Sequence, residues 1–227
     1  GPMSINVGDE GGFAPAFDTS RQAMDVLLKA IEAAGYAPGK EVYLAMDAAA
    51  SEFYSKGVYE LDGTKMSAGE IVDFYVSLSK DYPLISLEDP VHEEGFQDMA
   101  ELTAKVGGKI QLVGDDLFVT NPQRLRKGID VKAGNAMLLK VNQIGTISEA
   151  MRAAEICFDH GWNVMVSHRS GESEDTTMAD IAVALECGQI KSGAPARTER
   201  TAKYNRLLRI EENLGSKAKF MGRGAFF

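Results

Sequence analysis

The sequence predicts an α/β protein whose core is a parallel sheet of about six strands, curled toward a barrel. Short apolar runs alternate with longer amphipathic stretches along the 227 residues, which is the pattern of strand–helix units around a parallel sheet. After a longer first interval, consecutive runs end roughly 25 residues apart, which is about the length of one such unit. A closed barrel of this kind has eight strands and about 250 residues, so we expect an incomplete one.

Capping and turn residues mark the element boundaries in chain order. Thr19 or Ser20 caps a first helix, Ser67 caps a second, and proline follows Asn121 at the start of a fourth. An Asp-Gly turn at 62–63 indicates a small hairpin inside the long first interval. The predicted helices cover residues 20–34, 67–80, 95–106, 122 onward, 148–160, 176–187 and 198–214, and the predicted strands cover 41–46, 83–87, 110–114, 136–139, 162–167 and 189–190.

Every predicted strand of the sheet leads directly into an ionisable side chain. If the sheet curls, these side chains converge on one rim, at the carboxyl ends of the strands, where the active sites of such barrels lie. They are Asp47, Glu88, Asp115, Lys140, His168 and Lys191.

The residue types on this rim predict a chemistry. Three neighbouring carboxylates repel one another unless a cation lies among them, and oxygen ligands with open positions suit Mg²⁺ better than Zn²⁺. Two lysines brought close together, with a metal ion adjacent, are expected to lower each other's pKa, which is how a lysine becomes a base near neutral pH. Arg169 and Lys191 could hold a phosphate or a carboxylate. The set therefore predicts proton abstraction beside a carboxylate.

Composition narrows the partners and the compartment. A formal net charge of −9 argues against nucleic acid or an anionic membrane surface as the main partner. No apolar run reaches the length of a membrane span. Cys157 and Cys187 form no disulfide framework, so a reducing, cytoplasmic location is expected, with cell-surface or secreted presence as a secondary alternative. Residues 1–3 are interpreted as an expression-tag remnant, and residues 4–227 as one barrel domain.

Seven segments resemble, in order, the successive signatures of the enolases. They are NVGDEGGFAP, MDAAASEF, SLEDP, VGDDLFVTNP, LLKVNQIGT, VSHRSGESEDT and IKSGAPARTERTAKYNRLLRIEE, and they are distributed along the chain from Asn6 to Glu212. One such segment would be moderate evidence, whereas seven in order are strong. The resemblance implies the C-terminal TIM-type barrel of an enzyme that reversibly dehydrates 2-phosphoglycerate to phosphoenolpyruvate in glycolysis and gluconeogenesis, with two Mg²⁺ ions.

The resemblance also implies roles for the residues at matching positions. Lys140 resembles the base that removes the C2 proton, and Glu10 resembles the acid that assists departure of the C3 hydroxyl. Lys191 resembles the lysine that binds the substrate carboxylate, while Arg169 and Ser170 resemble the phosphate binders. The implied metal ligands are Asp47, Glu88 and Asp115, and the implied substrate-binding residues are Glu10, Lys140, His168, Arg169, Ser170 and Lys191.

Some parts of the family pattern have no match in this sequence. The resembling family carries an N-terminal capping domain with a closing loop, and a histidine and a second glutamate that support the acid side of the reaction. We therefore expect this chain alone to be weakly active or inactive, and the intact protein to form a homodimer or a larger assembly. The basic stretch between Arg197 and Arg209 is interpreted as the solvated face of the last helix.

Two alternatives remain open at this point. The chain could be a non-catalytic barrel fragment that serves as a binding or assembly module, which a partner interaction without Mg²⁺ dependence would favour. It could also be another enzyme of the same superfamily, an acid-sugar dehydratase or racemase. Those enzymes usually place paired lysines on an early strand, and the segments of this chain are much closer to enolase.

Overall fold

A computed structural model describes residues 5–226, so the interpretation of residues 1–3 as a tag remnant lies outside the described residues. The chain forms one sheet of six strands and a second sheet of three. The strands are β1 (Leu44–Asp47), β2 (Tyr54–Ser55), β3 (Val58–Leu61), β4 (Thr64–Met66), β5 (Leu84–Glu88), β6 (Gln111–Gly114), β7 (Ala136–Leu139), β8 (Asn163–Ser167) and β9 (Ile190–Lys191). The α-helices are α1 (Ser20–Ala33), α2 (Ala68–Asp81), α3 (Phe96–Val106), α4 (Pro122–Val131), α5 (Val141–Ile144), α6 (Ile147–Asp159), α7 (Thr177–Ala184) and α8 (Thr198–Leu214).

The larger sheet is parallel throughout, in the order β1-β5-β6-β7-β8-β9, and it is strongly curled. Laid flat, six strands would separate the two edges by roughly 24 Å, at about 4.8 Å a step. Instead Lys191 on β9 lies 2.7 Å from Asp47 on β1. Gln111 on β6 and Gln189 beside β9 also exchange side-chain hydrogen bonds of 2.8 and 2.7 Å. The predicted incomplete TIM-type barrel, with six parallel strands, is therefore confirmed.

The central strands are buried along their whole length, because helices cover the outside of the sheet. Every residue of β5, β6 and β7 is buried, as expected for parallel strands with both faces covered. The apolar faces of α2, α3 and α6 pack against the sheet, with residues such as Leu78, Leu102 and Ala153 fully buried. Burial of this layer is the main stabilising contribution that fixes the rim above it.

The predicted caps are present where the helices begin. The Thr19 hydroxyl accepts a hydrogen bond from the backbone of α1, and Asn121 does so for α4. Ser67 forms a reciprocal capping box with Glu70 on α2. The predicted hairpin joins β3 to β4 and turns at Asp62, which has a left-handed φ of 52°.

The largest differences from the expectation concern the first strand, the short helix α5 and the end of α7, which lies at Ala184 instead of residue 187. The first strand begins at Leu44 instead of residue 41, because Glu41 belongs to a turn in which its carboxylate accepts the Ala37 N–H. The short helix α5 follows Lys140 directly and was not predicted, since four residues give too short an apolar period to recognise. No helix within residues 5–226 is both long and apolar enough to cross a bilayer.

Candidate active site

The carboxyl ends of β1, β5 and β6 place three carboxylates side by side. Asp47 and Glu88 end their strands and are paired in register, and Asp115 directly follows β6. The side chain of Asp47 is 41% exposed, whereas those of Asp115 and Glu88 are 11% and 6% exposed. The rim therefore places the three residues that the sequence predicts as metal ligands at the ends of adjacent strands, and buries two of them. Within residues 5–226 these three do not form a group whose oxygens lie within 4.8 Å of one another.

Lys191 lies between two of these carboxylates. Its Nζ is 2.7 Å from Asp47 Oδ2 and 2.9 and 3.0 Å from the two oxygens of Glu88. Burial opposes the charged form of this lysine, but the attraction of Glu88 and Asp47 raises its pKa above the ordinary value. The expected lowering of the lysine pKa concerns a site with a metal ion adjacent, so it stays a prediction. The position between the carboxylates of Asp47 and Glu88 therefore stabilises a positive charge.

Burial also changes the acidity of Glu88. It raises the pKa of Glu88 to about 8, with a further contribution from the negative charge of Asp47 and against the opposing pull of Lys191. A carboxyl group that is reluctant to ionise in the metal-free chain gains most from a divalent cation, which favours its charged form. The donor set therefore fits a hard, oxygen-binding cation.

Lys140 forms the second lysine–carboxylate contact of the rim. It caps the end of β7, its Nζ hydrogen-bonds to Asp115 Oδ2, and its side chain is only 13% exposed. The other oxygen of Asp115 accepts a 2.8 Å hydrogen bond from Gln143, and the Lys140 backbone N–H donates to Thr120. The ammonium is thus held at a defined place on the rim, two strands away from the Glu88 carboxylate.

Asp89 is a functional candidate that the sequence reasoning missed. Its carboxylate accepts the backbone N–H groups of Asp115 and Asp116 at 2.8 and 2.7 Å. Within residues 5–226 these three acids form the carboxylate group whose oxygens all lie within 4.8 Å of one another. Because both Asp89 oxygens are engaged by backbone donors, we infer that it holds the loop that carries Asp115, and that it is not itself a ligand.

The acid and phosphate-binding candidates lie on the other side of the rim. Glu10 Oε2 is 3.3 Å from His168 Nε2, and the Glu10 carbonyl accepts the Ala194 N–H. Arg169 donates to the side chain of Asn142 at 2.8 Å, and its N–H donates to Glu172. His168 is 2% exposed. Burial, followed by the positive charge of neighbouring side chains, lowers its pKa to about 4.

The basic stretch of α8 is partly buried, so its interpretation as a solvated face is wrong. The side chain of Arg200 is 1% exposed, and that of Lys203 is also 1% exposed. Lys203 donates to Glu172 at 2.8 Å and to the Ser173 and Glu199 carbonyls. The basic residues nearer the two ends of this stretch, Arg197 and Arg209, are exposed.

We expect the metal-free chain to lose stability as pH rises from 6.5 to 8.5. The folded-state pKa values of Glu88 and Asp89 are raised to about 8 and about 7, in both cases chiefly by burial. The folded chain therefore holds protons that the unfolded chain has already released, and this stabilisation is lost as pH passes through the folded values. The lowered pKa of His168 affects the free energy of unfolding only below about pH 6.5, where the imidazole of the unfolded chain becomes protonated.

Chemical unfolding in the presence of a chelator measures this effect. The free energy of unfolding should fall by about 2 kcal/mol across the window, and saturating Mg²⁺ should reduce or reverse the trend. Glu88→Gln is the matched variant, because it removes one of the two titrating groups and should flatten the slope. A metal-free stability that is constant or rising over this range would mean that Glu88 and Asp89 are already ionised in the folded chain.

Asp89→Asn is expected to weaken divalent-metal binding and to destabilise the chain. An asparagine oxygen can accept one of the two backbone N–H groups, but its NH₂ then faces the other donor. Leaving a buried N–H unsatisfied costs about 1–3 kcal/mol, and loss of such support for a ligand weakens metal affinity about 10- to 100-fold. Calorimetric Mg²⁺ titration and denaturant unfolding measure the two effects.

Asp130→Asn serves as the control for this substitution, because Asp130 is exposed on α4. It should change stability by no more than about 0.5 kcal/mol and leave metal affinity unchanged. If Asp89→Asn binds Mg²⁺ as tightly as the unaltered chain, Asp89 does not hold the Asp115 loop in place.

Comparisons with known proteins show which family the sequence matches. A family model described as "Enolase, C-terminal TIM barrel domain" matches residues 1–226. The chain is 60% identical over 229 residues to the enolase of Methanopyrus kandleri, covering 100% of this chain and 54% of that protein. It is 58% identical over 223 residues to the enolase of Methanocaldococcus jannaschii, covering 98% of this chain and 52% of that protein. The chain thus spans about half the length of the curated relatives that it matches.

Proposed function

Because the chain belongs to the enolase C-terminal TIM barrel family, we propose that it supplies the catalytic barrel of an enolase, which reversibly dehydrates 2-phosphoglycerate to phosphoenolpyruvate. The observation that carries this proposal is the meeting of two lysines with three carboxylates on one rim, through the contacts of Lys191 with Asp47 and Glu88 and of Lys140 with Asp115. A lysine base beside carboxylate-bound Mg²⁺ is the arrangement of enolase-superfamily sites.

Asp47, Glu88 and Asp115 are proposed to hold the divalent cation. Their oxygen donors on a partly open rim favour Mg²⁺ over softer metals. When bound, the cation supplies positive charge that stabilises the negative charge developing beside the substrate carboxylate. Its binding also competes with the lysine ammonium groups that contact these carboxylates in the metal-free chain, so loading of the site and release of the lysines are linked.

Lys140 is proposed to accept the C2 proton. A lysine accepts a proton through its neutral amine, so Lys140 acts as the base in that form. Lys191, released from Asp47 and Glu88, pairs with the substrate carboxylate. Arg169 and Ser170 bind the phosphate through charge-assisted hydrogen bonds.

Glu10 is proposed to donate the proton with which the C3 hydroxyl leaves as water. The C2 proton therefore goes to Lys140 and the hydroxyl group takes a proton from Glu10, so the elimination balances. Glu10 and Lys140 lie on separate segments of the rim, which allows them to act on different carbons of the substrate. His168, 3.3 Å from Glu10, is proposed to contact the substrate on this side.

We further propose that this chain alone has weak activity or none, because closure over the substrate and exclusion of water contribute much of an enzyme's rate. The longer protein is proposed to be a dimer or a larger assembly. A cytoplasmic location is also proposed, and it is supported by the two free cysteines, which suit a reducing compartment.

The test uses the chain alone and a chimaera in which it replaces the corresponding segment of the M. kandleri relative. The rise in ultraviolet absorbance as phosphoenolpyruvate forms from 2-phosphoglycerate measures turnover with Mg²⁺. We expect a Mg²⁺-dependent rate from the chimaera and little or none from the chain alone. A folded chimaera without activity would refute the proposal and favour the alternative of a binding or assembly module.

A further inference from the structure

Arg200, in the first turn of α8, joins two separate loops of the site. Its guanidinium donates to the carbonyl of Asp9 at 3.0 Å and to the carbonyls of Arg169 and Ser170 at 2.7 and 2.5 Å. It also lies 2.5 Å from Nδ1 of His168. One side chain thus ties the loop that carries Glu10 to the loop that follows β8.

The burial of this guanidinium points to a positional role. Burying a charge without a close, well-paired carboxylate is costly, and the nearest carboxylate contact of Arg200 is Glu199 at 4.0 Å. The neighbouring loop is also shaped around it, since a Cβ at Gly193 would lie 2.5 Å from the Glu10 carbonyl oxygen and 3.0 Å from Arg200 Cδ. An apolar residue would be cheaper to bury, but it could not hold these loops together.

The contact with His168 also decides where that imidazole carries its proton. A guanidinium has only donors and stays protonated, so the Nδ1 that faces it must be an acceptor. In a neutral imidazole the proton then lies on Nε2. Nε2 is fully buried and makes no well-oriented hydrogen bond within residues 5–226, although it lies 3.3 Å from the Glu10 carboxylate. The N–H is therefore available to Glu10 or to a bound substrate.

We propose that Arg200 is a positioning residue that fixes His168 as the Nε2–H tautomer and holds the Glu10 loop against it. This inference rests on the proposed function only in taking Glu10 and His168 as members of the active site. Arg200 itself touches no reacting atom, and it acts by setting which ring nitrogen of His168 can donate. In this way α8, which contributes no strand-end residue, controls the acid side of the rim.

The first experiment needs no substitution. Nitrogen NMR of histidine-labelled chain at pH 7 distinguishes protonated from unprotonated ring nitrogens, and only three histidines are present. His160 is an internal reference of the opposite kind, because its Nδ1 lies 2.8 Å from the Ile156 carbonyl and must donate to it. We expect the His168 proton on Nε2 and the His160 proton on Nδ1. A proton on Nδ1 of His168 would overturn the proposal.

The second experiment removes the donor with Arg200→Met and uses Arg209→Met, exposed on the same helix, as the control. Without the guanidinium, no donor faces Nδ1 and requires it to be an acceptor, so the His168 proton should be found partly on Nδ1. A His168 that keeps only the Nε2–H tautomer in a folded Arg200→Met chain would show that Arg200 does not set it. If that variant does not fold, the measurement on the unaltered chain decides.

These readouts are independent of turnover, so the two proposals can fail separately. An inactive chimaera combined with the expected tautomers would reject the enolase function and leave the role of Arg200 standing. An active chimaera with the proton on Nδ1 of His168 would keep the function and reject the positioning role.

Discussion

Replacing Lys140 with methionine is expected to lower the turnover of 2-phosphoglycerate by the chimaera about a thousandfold, since a positioned base contributes about 10²–10⁴ in rate. Methionine fills a similar volume but cannot accept the C2 proton. In the metal-free chain Lys140 also contacts Asp115, so its removal takes away an ammonium that competes for a proposed metal ligand. The Mg²⁺ affinity of this variant, measured by calorimetry, should therefore equal or exceed that of the unaltered chimaera, while the initial rate falls about a thousandfold.

Lys140→Arg tests whether Lys140 acts as a base or only as a positive charge that pairs with Asp115. Arginine keeps the positive charge and can still pair with Asp115, but it does not lose a proton in proteins. We expect this variant to be as inactive as Lys140→Met. Recovery of more than a small part of the rate by arginine would mean that Lys140 acts through its contact with Asp115 and that another group removes the proton.

The fold was predictable because its signal is repeated along the chain. The central strands are short buried runs, such as Ala136–Leu139. Each strand of the larger sheet ends at or just before an ionisable residue that the parallel topology carries to the same edge. The repetition also revealed that the sheet has six strands. By contrast, the four residues of α5 form no repeating pattern, and Glu41 lies in a turn that depends on one side-chain contact.

The part of the site that sequence could not predict consists of residues that support others. Arg200 and Lys203 read as solvated because charged residues on a helix usually are, and only their tertiary acceptors, such as the Asp9 and Ser173 carbonyls, explain their burial. Asp89 follows a strand end by one residue and looks like an ordinary loop acid. Its role depends on two backbone N–H groups about 26 residues further along the chain.

The sequence also could not predict which carboxylate each lysine contacts. Residue types predict that lysines and carboxylates share the rim, but the pairing depends on strand register and side-chain reach. Because Lys191 spans from β9 to both β1 and β5, it closes the open edge of the sheet and occupies the region proposed for the cation. Lys191 therefore helps to hold the curled sheet together and lies beside two of the carboxylates proposed to bind the cation.

Gly114→Ala is expected to produce the largest loss of stability among single methyl additions near the rim. Gly114 ends β6 directly before Asp115, and a Cβ there would lie 2.5 Å from two ring carbons of Phe118. That ring is fully buried, and Gly128 confines it from the other side, where a Cβ would lie 2.4 Å from it. The ring cannot move away from either glycine without displacing the other wall.

Overpacking of a core typically costs 1–3 kcal/mol, and with both walls closed we expect Gly114→Ala to lose about 3 kcal/mol of unfolding free energy. Because the displaced backbone carries Asp115, Mg²⁺ affinity should fall in the same variant.

Gly69→Ala is the control, since nothing lies within 4 Å of a Cβ on that residue of α2, and alanine should stabilise the helix by about 0.5–1 kcal/mol. Adding Phe118→Leu to Gly114→Ala should recover part of the lost unfolding free energy, because leucine is smaller than phenylalanine and leaves room for the added methyl group. Denaturant unfolding measures the free energy of unfolding of each variant. A Gly114→Ala chain as stable as the parent would mean that the Phe118 ring is not confined between the two glycines.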